Sequence, residues 1–230
     1  MGRELELDER LQKIAGYVRP GAVFADVGCD HGRLSVYLMQ KCGAEKGFAC
    51  DIRPQPLEKA RLLIEKTGLI EKIIPVLTDG LHGMEGRGIT DVVIAGIGGE
   101  VLAKIVEETS FLQDHSIRVI LQPQSREPVL RKALYRCGFD ILEEQVVASG
   151  RFLYTILVAE YSGEKKEISD YTAHTGLLPR NKDELTREKL RRTARILMDI
   201  VRGMEDAPQM KEEAQRLREL ADRIEKTAGL

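Results

Sequence analysis

The sequence predicts an α/β protein with a mostly parallel sheet, a closing antiparallel hairpin and a separate helical hairpin at the C-terminus. Three observations lead to this prediction. Apolar segments of strand length alternate with amphipathic segments of helix length from residue 21 to about 161, which is the signature of repeated βαβ units. Two further strand candidates follow each other without a helix between them. The last part of the chain repeats apolar side chains at coiled-coil spacing.

The parallel part of the sheet is predicted from alternating strand and helix candidates. The strand candidates are residues 23–27, 46–50, 73–77, 91–95 and 118–122. The helix candidates between and after them are residues 33–42, 54–67, 99–108 and 126–137. Because crossovers between parallel strands are right-handed, these helices are expected to cover both faces of one twisted sheet.

The closing hairpin consists of residues 139–148 and 152–160, joined by Ser149-Gly150-Arg151, a link of hairpin length. A dehydrogenase-type nucleotide-binding sheet is built from two parallel βαβαβ halves. A parallel sheet that ends in an antiparallel hairpin is instead typical of class I methyltransferases. The order of elements therefore favours a class I (Rossmann-like) methyltransferase sheet.

The C-terminal part is predicted to form a coiled-coil arm. Residues 163–183 are polar and read as a connector, and a connector of that length usually precedes a separate unit. Two apolar series follow on either side of the break Asp206-Ala207-Pro208, with steps of four and three residues. They are Leu190, Ala194, Leu197, Val201, Met204 and Met210, Ala214, Leu217, Ala221, Ile224, Ala228.

These two series would face each other in an antiparallel hairpin about 30 Å long. The same pattern would also serve for dimerisation, and the sequence leaves both uses open. We expect residues 1–163 to form a catalytic domain and residues 164–230 to form the connector and the antiparallel coiled-coil arm.

Composition restricts the class of protein. The formal net charge is −2, so no global positive field attracts nucleic acid, and any such binding requires a local patch. No stretch without Asp, Glu, Lys or Arg exceeds nine residues, whereas a membrane-spanning helix needs about 20 apolar residues. The N-terminus lacks the apolar core of a signal peptide, and the four cysteines form no CxxC pair. We expect a cytoplasmic protein that can act as a monomer, without membrane association or a metal site.

A ligand-binding loop is predicted after the first strand, in the pattern Asp26-x-Gly28-x-Asp30-x-Gly32. In open α/β sheets ligands bind outside the carboxyl ends of the strands, where glycines allow close approach to the backbone. The dinucleotide pattern GxGxxG is absent. The pattern alone could equally mark a simple turn, and the strands that follow decide between the two.

Each later strand also ends in residues suited to ligand contact. Asp51 ends the second strand, where an acid accepts hydrogen bonds from ribose hydroxyls. Thr78-Asp79-Gly80 follows the third strand, where class I methyltransferases hold a residue against the adenine amine. The fourth strand ends in the glycine-rich segment 95–100, without the Asn/Asp-Pro-Pro-Tyr motif of enzymes that methylate the exocyclic adenine amine. We expect Gly96 and Gly98 to lie against the ligand.

Five segments together resemble one family: Asp26-Val-Gly-Cys-Asp-His-Gly32, Ala49-Cys-Asp-Ile52, Asp79-Gly80-Leu81, the segment 93–99 (VIAGIGG) and Leu121-Gln-Pro-Gln124. They are similar to the bacterial tRNA (adenine-N1)-methyltransferases that act on adenine 22, the TrmK family. The resemblance extends over nearly the whole chain and implies S-adenosylmethionine as the methyl donor and tRNA as the substrate. The cofactor residues so predicted are Asp26, Gly28, Cys29, His31, Gly32, Asp51, Ile52, Asp79, Gly80, Gly96 and Gly98.

Asp30 is the predicted catalytic residue. Adenine becomes cationic as N1 accepts a methyl group, and a fixed carboxylate stabilises that developing charge. The alternative is that Asp30 caps the following helix, because Asp is a preferred N-cap residue. Among candidate substrate contacts, Gln122 and Gln124 could hydrogen-bond the base, and Arg10 could reach a phosphate; each could also be a plain surface group.

A local basic patch is predicted on the arm, because residues 180–195 carry seven basic and three acidic side chains. The arginines expected to contact tRNA phosphates are Arg187, Arg191, Arg192 and Arg195. A second basic cluster, Arg126, Arg131, Lys132 and Arg136, lies on the helix after the fifth strand. Two other functions remain open: an S-adenosylmethionine enzyme acting on a small molecule, and a non-catalytic coiled-coil interaction protein on a cofactor-binding scaffold.

Overall fold

A seven-stranded sheet organises the protein in a computed structural model that describes residues 5–204 and 208–229. The strand order is β3-β2-β1-β4-β5-β7-β6. The strands are β1 (Val23–Val27), β2 (Lys46–Asp51), β3 (Ile73–Leu77), β4 (Asp91–Ile97), β5 (Arg118–Pro123), β6 (Phe139–Ser149) and β7 (Phe152–Tyr161). The first five pair in parallel, and β7 pairs antiparallel with both β5 and β6. This order confirms the predicted class I sheet.

Helices surround the sheet and extend beyond it. They are α1 (Glu9–Ala15), α2 (Arg33–Lys41), α3 (Pro54–Lys66), α4 (Gly99–Glu108), α5 (Glu127–Arg136), α6 (Asp170–Thr175), α7 (Glu184–Arg202) and α8 (Lys211–Ala228). The helices predicted at 33–42, 54–67, 99–108 and 126–137 are thus confirmed to within a residue or two. In the described chain, no helix is both long enough and apolar enough to cross a membrane.

Two apolar clusters lie on opposite faces of the sheet, because side chains alternate along a strand. On β4, Val92 and Ile94 belong to one cluster and Val93 to the other. All three side chains are fully buried, as expected for parallel strands covered by helices on both sides. The continuous apolar runs in the sequence therefore reflect burial on two faces.

Five of the seven strands extend one or two residues beyond their predicted ends, and two of these extensions carry residues predicted to contact a ligand. Strand β2 continues to Asp51, which pairs with Leu77 of β3. Strand β4 continues to Ile97, and its register with β5 is irregular between Ala95 and Ile97. Gly96 lies at this irregularity with a φ of +78°, a conformation that glycine adopts readily.

The C-terminal arm is a helical hairpin formed by α7 and α8, as predicted. Leu190, Ala194 and Leu197 of α7 share one buried cluster with Ala221 and Ile224 of α8. The apolar seams are thus used within the chain. Asp206 and Ala207 of the predicted break lie outside the described residues.

The predicted connector is more ordered than its composition suggested. It contains α6, whose N-cap Ser169 accepts a hydrogen bond from the Thr172 amide. Tyr171 on α6 hydrogen-bonds Thr227 of α8 at 2.8 Å, and its ring lies 3.9 Å from the Arg223 guanidinium carbon. The segment therefore packs under the arm instead of spanning open solvent.

Arg131 corrects the prediction of a second RNA-facing basic cluster. Its side chain is completely buried and pairs with Glu144 of β6 at 2.7 Å. It also donates to the Ala173 carbonyl of α6 at 2.8 Å. A buried charge requires partners of this kind, so Arg131 connects α5, the sheet edge and α6. It does not face solvent, and Glu144 also accepts from the Leu177 amide.

Replacing Arg131 is expected to destabilise the whole protein. The variant Arg131→Met leaves Glu144 buried without its partner, and breaking such a pair costs about 3–5 kcal/mol of unfolding free energy. Arg136→Met on the same helix is the matched control, because Arg136 is exposed and forms a surface pair with Glu107; its effect is expected to be below about 1 kcal/mol. Urea unfolding followed by circular dichroism measures both. Equal effects would contradict a structural role for the buried pair.

Candidate active site

A crevice of about 580 Å³ opens at the carboxyl ends of β1, β2, β3 and β4. It contains the predicted catalytic residue Asp30 and every predicted cofactor residue except Gly32 and Gly98. Helix α1 closes one side of it through Arg10 and Leu11. Its position agrees with the rule that open α/β sheets bind ligands outside the strand ends.

The loop after β1 is held by backbone hydrogen bonds to the neighbouring strand. The amides of Gly28 and Cys29 both donate to the Cys50 carbonyl, at 2.8 and 2.9 Å. This arrangement needs a left-handed residue, and Gly28 supplies it with a φ of +73°. Cys29 is buried, and burial raises the pKa of its thiol, so it serves as a packed loop residue without thiolate reactivity.

Asp51, at the end of β2, links the loop after β1 to the segment that follows β2. Its side chain is only 2% exposed. One carboxylate oxygen accepts from the Arg53 amide at 2.9 Å, and the other accepts from the Asp30 amide at 3.2 Å. A carboxylate has about four lone-pair positions, so Asp51 retains acceptor capacity towards the crevice that it lines.

Asp26 is a buried carboxylate beneath the loop. Ser35 of α2 donates to it at 2.6 Å. Burial raises the pKa of Asp26 to about 6, the hydrogen bonds from Ser35 oppose that rise, and the nearby charge of Asp51 adds to it. Asp26 therefore supports the loop from below while lining the crevice.

Asp30 does not cap α2, so this alternative for its role is wrong. The N-cap of α2 is Gly32, and no side chain caps the helix. Asp30 has a φ of +50°, and its side chain is 63% exposed at the crevice. The Asp30 carboxylate lies 3.8 Å from the His31 imidazole and 4.0 Å from the Arg53 guanidinium. Its carboxylate thus remains available to a ligand.

The third and fourth strands complete the crevice. Asp79 and Gly80 follow β3, and Ile52 follows β2 with 59% of its surface exposed. A Cβ on Gly80 would approach Ile105 of α4 to 3.3 Å. The crevice therefore combines acidic groups with exposed apolar surface near Ile52, as mixed-polarity ligands require.

Gly32 and Gly98 are not among the residues that line the crevice, and their contact with the cofactor stays a prediction. Gly32 has a φ of +68°, and a Cβ there would come within 2.9 Å of the Ala60 Cβ on α3. A residue with a side chain at position 32 would therefore collide with α3, so the close packing of α2 and α3 requires glycine there. Gly98 is the N-cap of α4, and a Cβ there would lie 3.5 Å from the Ser125 hydroxyl.

The predicted substrate residues lie in two places. Arg10, Gln122 and Gln124 lie in or near the crevice, and the four arginines lie on the arm. Arg10 lines the crevice with 18% of its side chain exposed, so it is not an ordinary surface charge. Gln122 is completely buried and accepts from Arg10 at 2.6 Å, which corrects the expectation that it contacts the base directly. Gln124 is exposed beside Gly96, where a Cβ would lie 3.5 Å from its amide nitrogen.

The four arginines on the arm lie on α7, away from the residues that line the crevice. Glu184 pairs with Arg187 at 3.7 Å and with Arg191 at 2.9 Å. Glu188 pairs with Arg192 at 2.9 Å and with Arg195 at 3.3 Å. The helix thus balances part of the positive charge counted from the sequence.

Several crevice contacts were not predicted from the sequence. Ser35 supports Asp26 from α2, Arg53 binds Asp51, and Arg33 lines the opening. Tyr154 on β7 lies below the Arg10 guanidinium, with 5.5 Å between the Arg10 Cζ and the ring centroid. Ser35 was detectable as a polar residue on the buried face of a helix. The Tyr154 contact joins distant parts of the chain and had no local indication.

The sheet order and the crevice at its strand ends define a class I methyltransferase. A family model for a methyltransferase domain matches residues 7–157. The chain is 31% identical over 175 residues to the tRNA (adenine(22)-N(1))-methyltransferase of Bacillus subtilis, covering 76% of this chain and 74% of that relative. It belongs to this tRNA (adenine-22-N1)-methyltransferase family, the TrmK family.

Solved structures support the same assignment over almost the full chain. The B. subtilis m1A22 tRNA methyltransferase TrmK matches with a TM-score of 0.85 and 29% identity, covering 98% of each chain. Streptococcus pneumoniae Sp1610 in complex with S-adenosyl-L-methionine matches with a TM-score of 0.82 and 28% identity, covering 96% of this chain and all of that one. The similarity therefore includes the C-terminal arm as well as the sheet.

The raised pKa of Asp26 predicts a pH-dependent effect of Asp26→Asn on stability. Protonation of buried Asp26 favours the folded state below pH 4, and this contribution is lost as pH rises through about 6. The shift from 3.8 to about 6 corresponds to about 3 kcal/mol of unfolding free energy. Asp26→Asn, which keeps an acceptor for Ser35, is expected to stabilise the protein at pH 8 by up to about that amount.

The measurement is urea unfolding of both proteins, without cofactor, at pH 8, 6 and 4.5. The advantage of Asp26→Asn is expected to shrink as the pH falls, because the wild-type carboxyl becomes protonated. Asp222→Asn on the exposed face of α8 is the control and is expected to show little pH-dependent difference. A variant less stable than wild type at pH 8 would contradict the buried-charge interpretation.

Proposed function

We propose that this protein transfers a methyl group from S-adenosylmethionine to N1 of adenine 22 in tRNA. The observation that carries the proposal is the crevice itself. Four aspartates line it beside three left-handed glycines, Gly28, Gly80 and Gly96, at the carboxyl ends of adjacent strands. Membership of the family of adenine-22 enzymes and the similarity to a structure with bound S-adenosylmethionine support the substrate and the donor.

The crevice residues fit S-adenosylmethionine in charge and shape. Asp51 has acceptor capacity for ribose hydroxyls, and Gly28 places the backbone of the first loop in the crevice lining. Ile52 offers exposed apolar surface for a base, next to Asp79. The bound donor supplies an electrophilic methyl group on a positively charged sulfur. Four aspartates line the crevice together with three arginines, and the small excess of negative charge favours such a cation.

The residues of the chain contribute alignment and electrostatics. Adenine N1 carries an in-plane lone pair and no proton at neutral pH, so the reaction needs neither an enzyme nucleophile nor a general base. Holding the acceptor in line and excluding water supplies much of the rate enhancement. We assign to Asp30 the stabilisation of the positive charge that develops on the base, because its exposed carboxylate lies at the crevice.

The arm supplies the proposed contacts to tRNA outside the crevice. Arg187, Arg191, Arg192 and Arg195 keep between 34% and 63% of their side chains exposed. Their partners Glu184 and Glu188 lie on the same helix, and exposed pairs of this kind are weak. Phosphates can replace these carboxylates as acceptors, and such contacts weaken as salt concentration increases.

N1 lies on the Watson–Crick edge of adenine, so the acceptor has to leave its stacked position to enter the crevice. The intramolecular use of the arm's apolar seam supports a monomer as the active unit. A tRNA substrate supports a cytoplasmic location. Methylation of a small molecule, the main alternative, leaves the exposed arginines of the arm without a role.

The proposal is tested by incubating the purified protein with S-adenosylmethionine and a tRNA transcript that contains adenine 22. Nuclease digestion and mass spectrometry are expected to find 1-methyladenosine at position 22. A transcript with guanine at this position is the matched control and is expected to remain unmodified. Methylation at another position, or none at low salt, would contradict the proposed function.

The variant Asp30→Asn tests the catalytic assignment. Asn also tolerates the left-handed backbone of this position, so the loop is expected to stay intact while the charge is lost. We expect kcat to fall by about a hundredfold, with cofactor affinity measured by calorimetry changing only a few-fold. Asp222→Asn on α8 is the control for loss of an exposed acid. Wild-type turnover in Asp30→Asn would end the assignment.

A further inference from the structure

Arg10 is held in an unusual position for a residue of a short N-terminal helix. Its guanidinium lines the crevice although α1 precedes the sheet in sequence. One nitrogen donates to Gln122 of β5 at 2.6 Å. The nearest acidic partner, Asp8, is 3.8 Å away and half-exposed. The shortest contact that fixes the guanidinium is therefore the one with a neutral amide, and its ion pair with Asp8 is long and half-exposed, so that pair is weak.

Gln122 is suited to holding the Arg10 guanidinium in place, because both ends of its side-chain amide form hydrogen bonds. Its side chain is fully buried at the end of a central strand. The amide nitrogen donates to the Pro123 carbonyl at 2.7 Å, which directs the amide oxygen towards Arg10. A buried polar side chain is stable only when its hydrogen bonds are satisfied. The contact with Arg10 satisfies the remaining end.

Tyr154 supports the same guanidinium from the last strand. Its ring centroid lies 5.5 Å from the Arg10 Cζ, within the range of cation–π attraction. The neighbouring Phe152 ring lies 6.1 Å from that of Tyr154. The closing hairpin thus contributes an aromatic surface beneath Arg10, and the guanidinium is held from two strands.

Nitrogen atoms of Arg10 and Gln124 both lie close to Gly96. A Cβ built on Gly96 would lie 3.8 Å from the Arg10 Nη1, the nitrogen that also donates to Gln122, and 3.5 Å from the amide nitrogen of Gln124. Gly96 lines the crevice at the end of β4. Two nitrogen donors near one glycine, one of them cationic, suit the acceptor oxygens of a phosphate.

We propose that Gln122 and Tyr154 are positioning residues that hold Arg10 as a fixed anion site for a phosphate next to the acceptor adenosine. The proposal rests on the proposed function for the identity of the substrate. A neutral positioning amide leaves the charge of Arg10 available, whereas a carboxylate at position 122 would neutralise it. The site would fix the backbone of the flipped nucleotide while Asp30 faces the base.

The first test compares Arg10→Ala, Gln122→Met and the double variant on the tRNA transcript. We expect Gln122→Met to raise KM for tRNA by about tenfold, the effect of losing one hydrogen bond to a charged group. Affinity for S-adenosylmethionine is expected to stay within about twofold, because Gln122 lies outside the crevice lining. The double variant is expected to match Arg10→Ala alone, because Gln122 acts through Arg10.

Salt dependence of tRNA binding gives a readout that a general structural defect would not change. In fluorescence anisotropy titrations, Arg10→Ala is expected to lower the slope of log K against log salt by about one phosphate contact. Gln122→Met is expected to lower it similarly, and the exposed control Gln113→Met to leave it unchanged. An unaltered slope in Gln122→Met, or additive effects in the double variant, would overturn the proposal.

Tyr154 provides a second test that is independent of the Gln122 variants. Tyr154→Phe keeps the aromatic face and is expected to keep KM for tRNA within about twofold, whereas Tyr154→Leu is expected to raise it several-fold. Equal KM values in these two variants would overturn the role of the ring, even if Gln122→Met fails to fold. Absence of methylation at adenine 22 by the wild-type protein would instead contradict the proposed function, since the binding slopes test the anion site separately.

Discussion

The active crevice depends on how the first loop is attached to the second strand. The amides of Gly28 and Cys29 share the Cys50 carbonyl as acceptor, and the Asp30 amide donates to Asp51 just beyond it. These bonds keep the loop close to the end of β2 and leave the Asp30 side chain directed to the crevice. A left-handed residue at position 28 is necessary for this path, which explains its glycine.

The buried carboxylate of Asp26 under this loop lowers the free energy of unfolding of the protein at neutral pH. Asp26 is buried, and its ionised form is disfavoured in the absence of a cation. The small excess of negative charge in the crevice lining favours a cationic ligand. Stability without ligand and affinity for the methyl donor are thus opposed in one group of residues, as is common at functional sites.

The connection between arm and sheet is built on a second buried charge. Arg131 pairs with Glu144 and donates to a carbonyl of α6, while the apolar side chains of α7 pack against Val146 of the edge strand. Gly176 lies so close to this pair that a Cβ there would overlap the Glu144 carboxylate. The arm is therefore attached through a satisfied polar cluster together with apolar packing, which sets its direction relative to the crevice.

The sequence by itself determined the order of strands and helices, the closing hairpin, the seams of the arm and most of the crevice. These follow from local periodicity and from glycines and acids at strand ends, because the carboxyl ends of parallel strands meet at one edge. Only the tertiary structure decided the roles of Gly32, Gln122, Arg131 and Tyr154. Each of these contacts a residue that is not its neighbour in sequence. Gly32 contacts Ala60, and Arg131 pairs with Glu144. Gln122 and Tyr154 both contact Arg10. Whether a polar side chain faces water or a buried partner depends on those distant contacts, which local sequence does not encode.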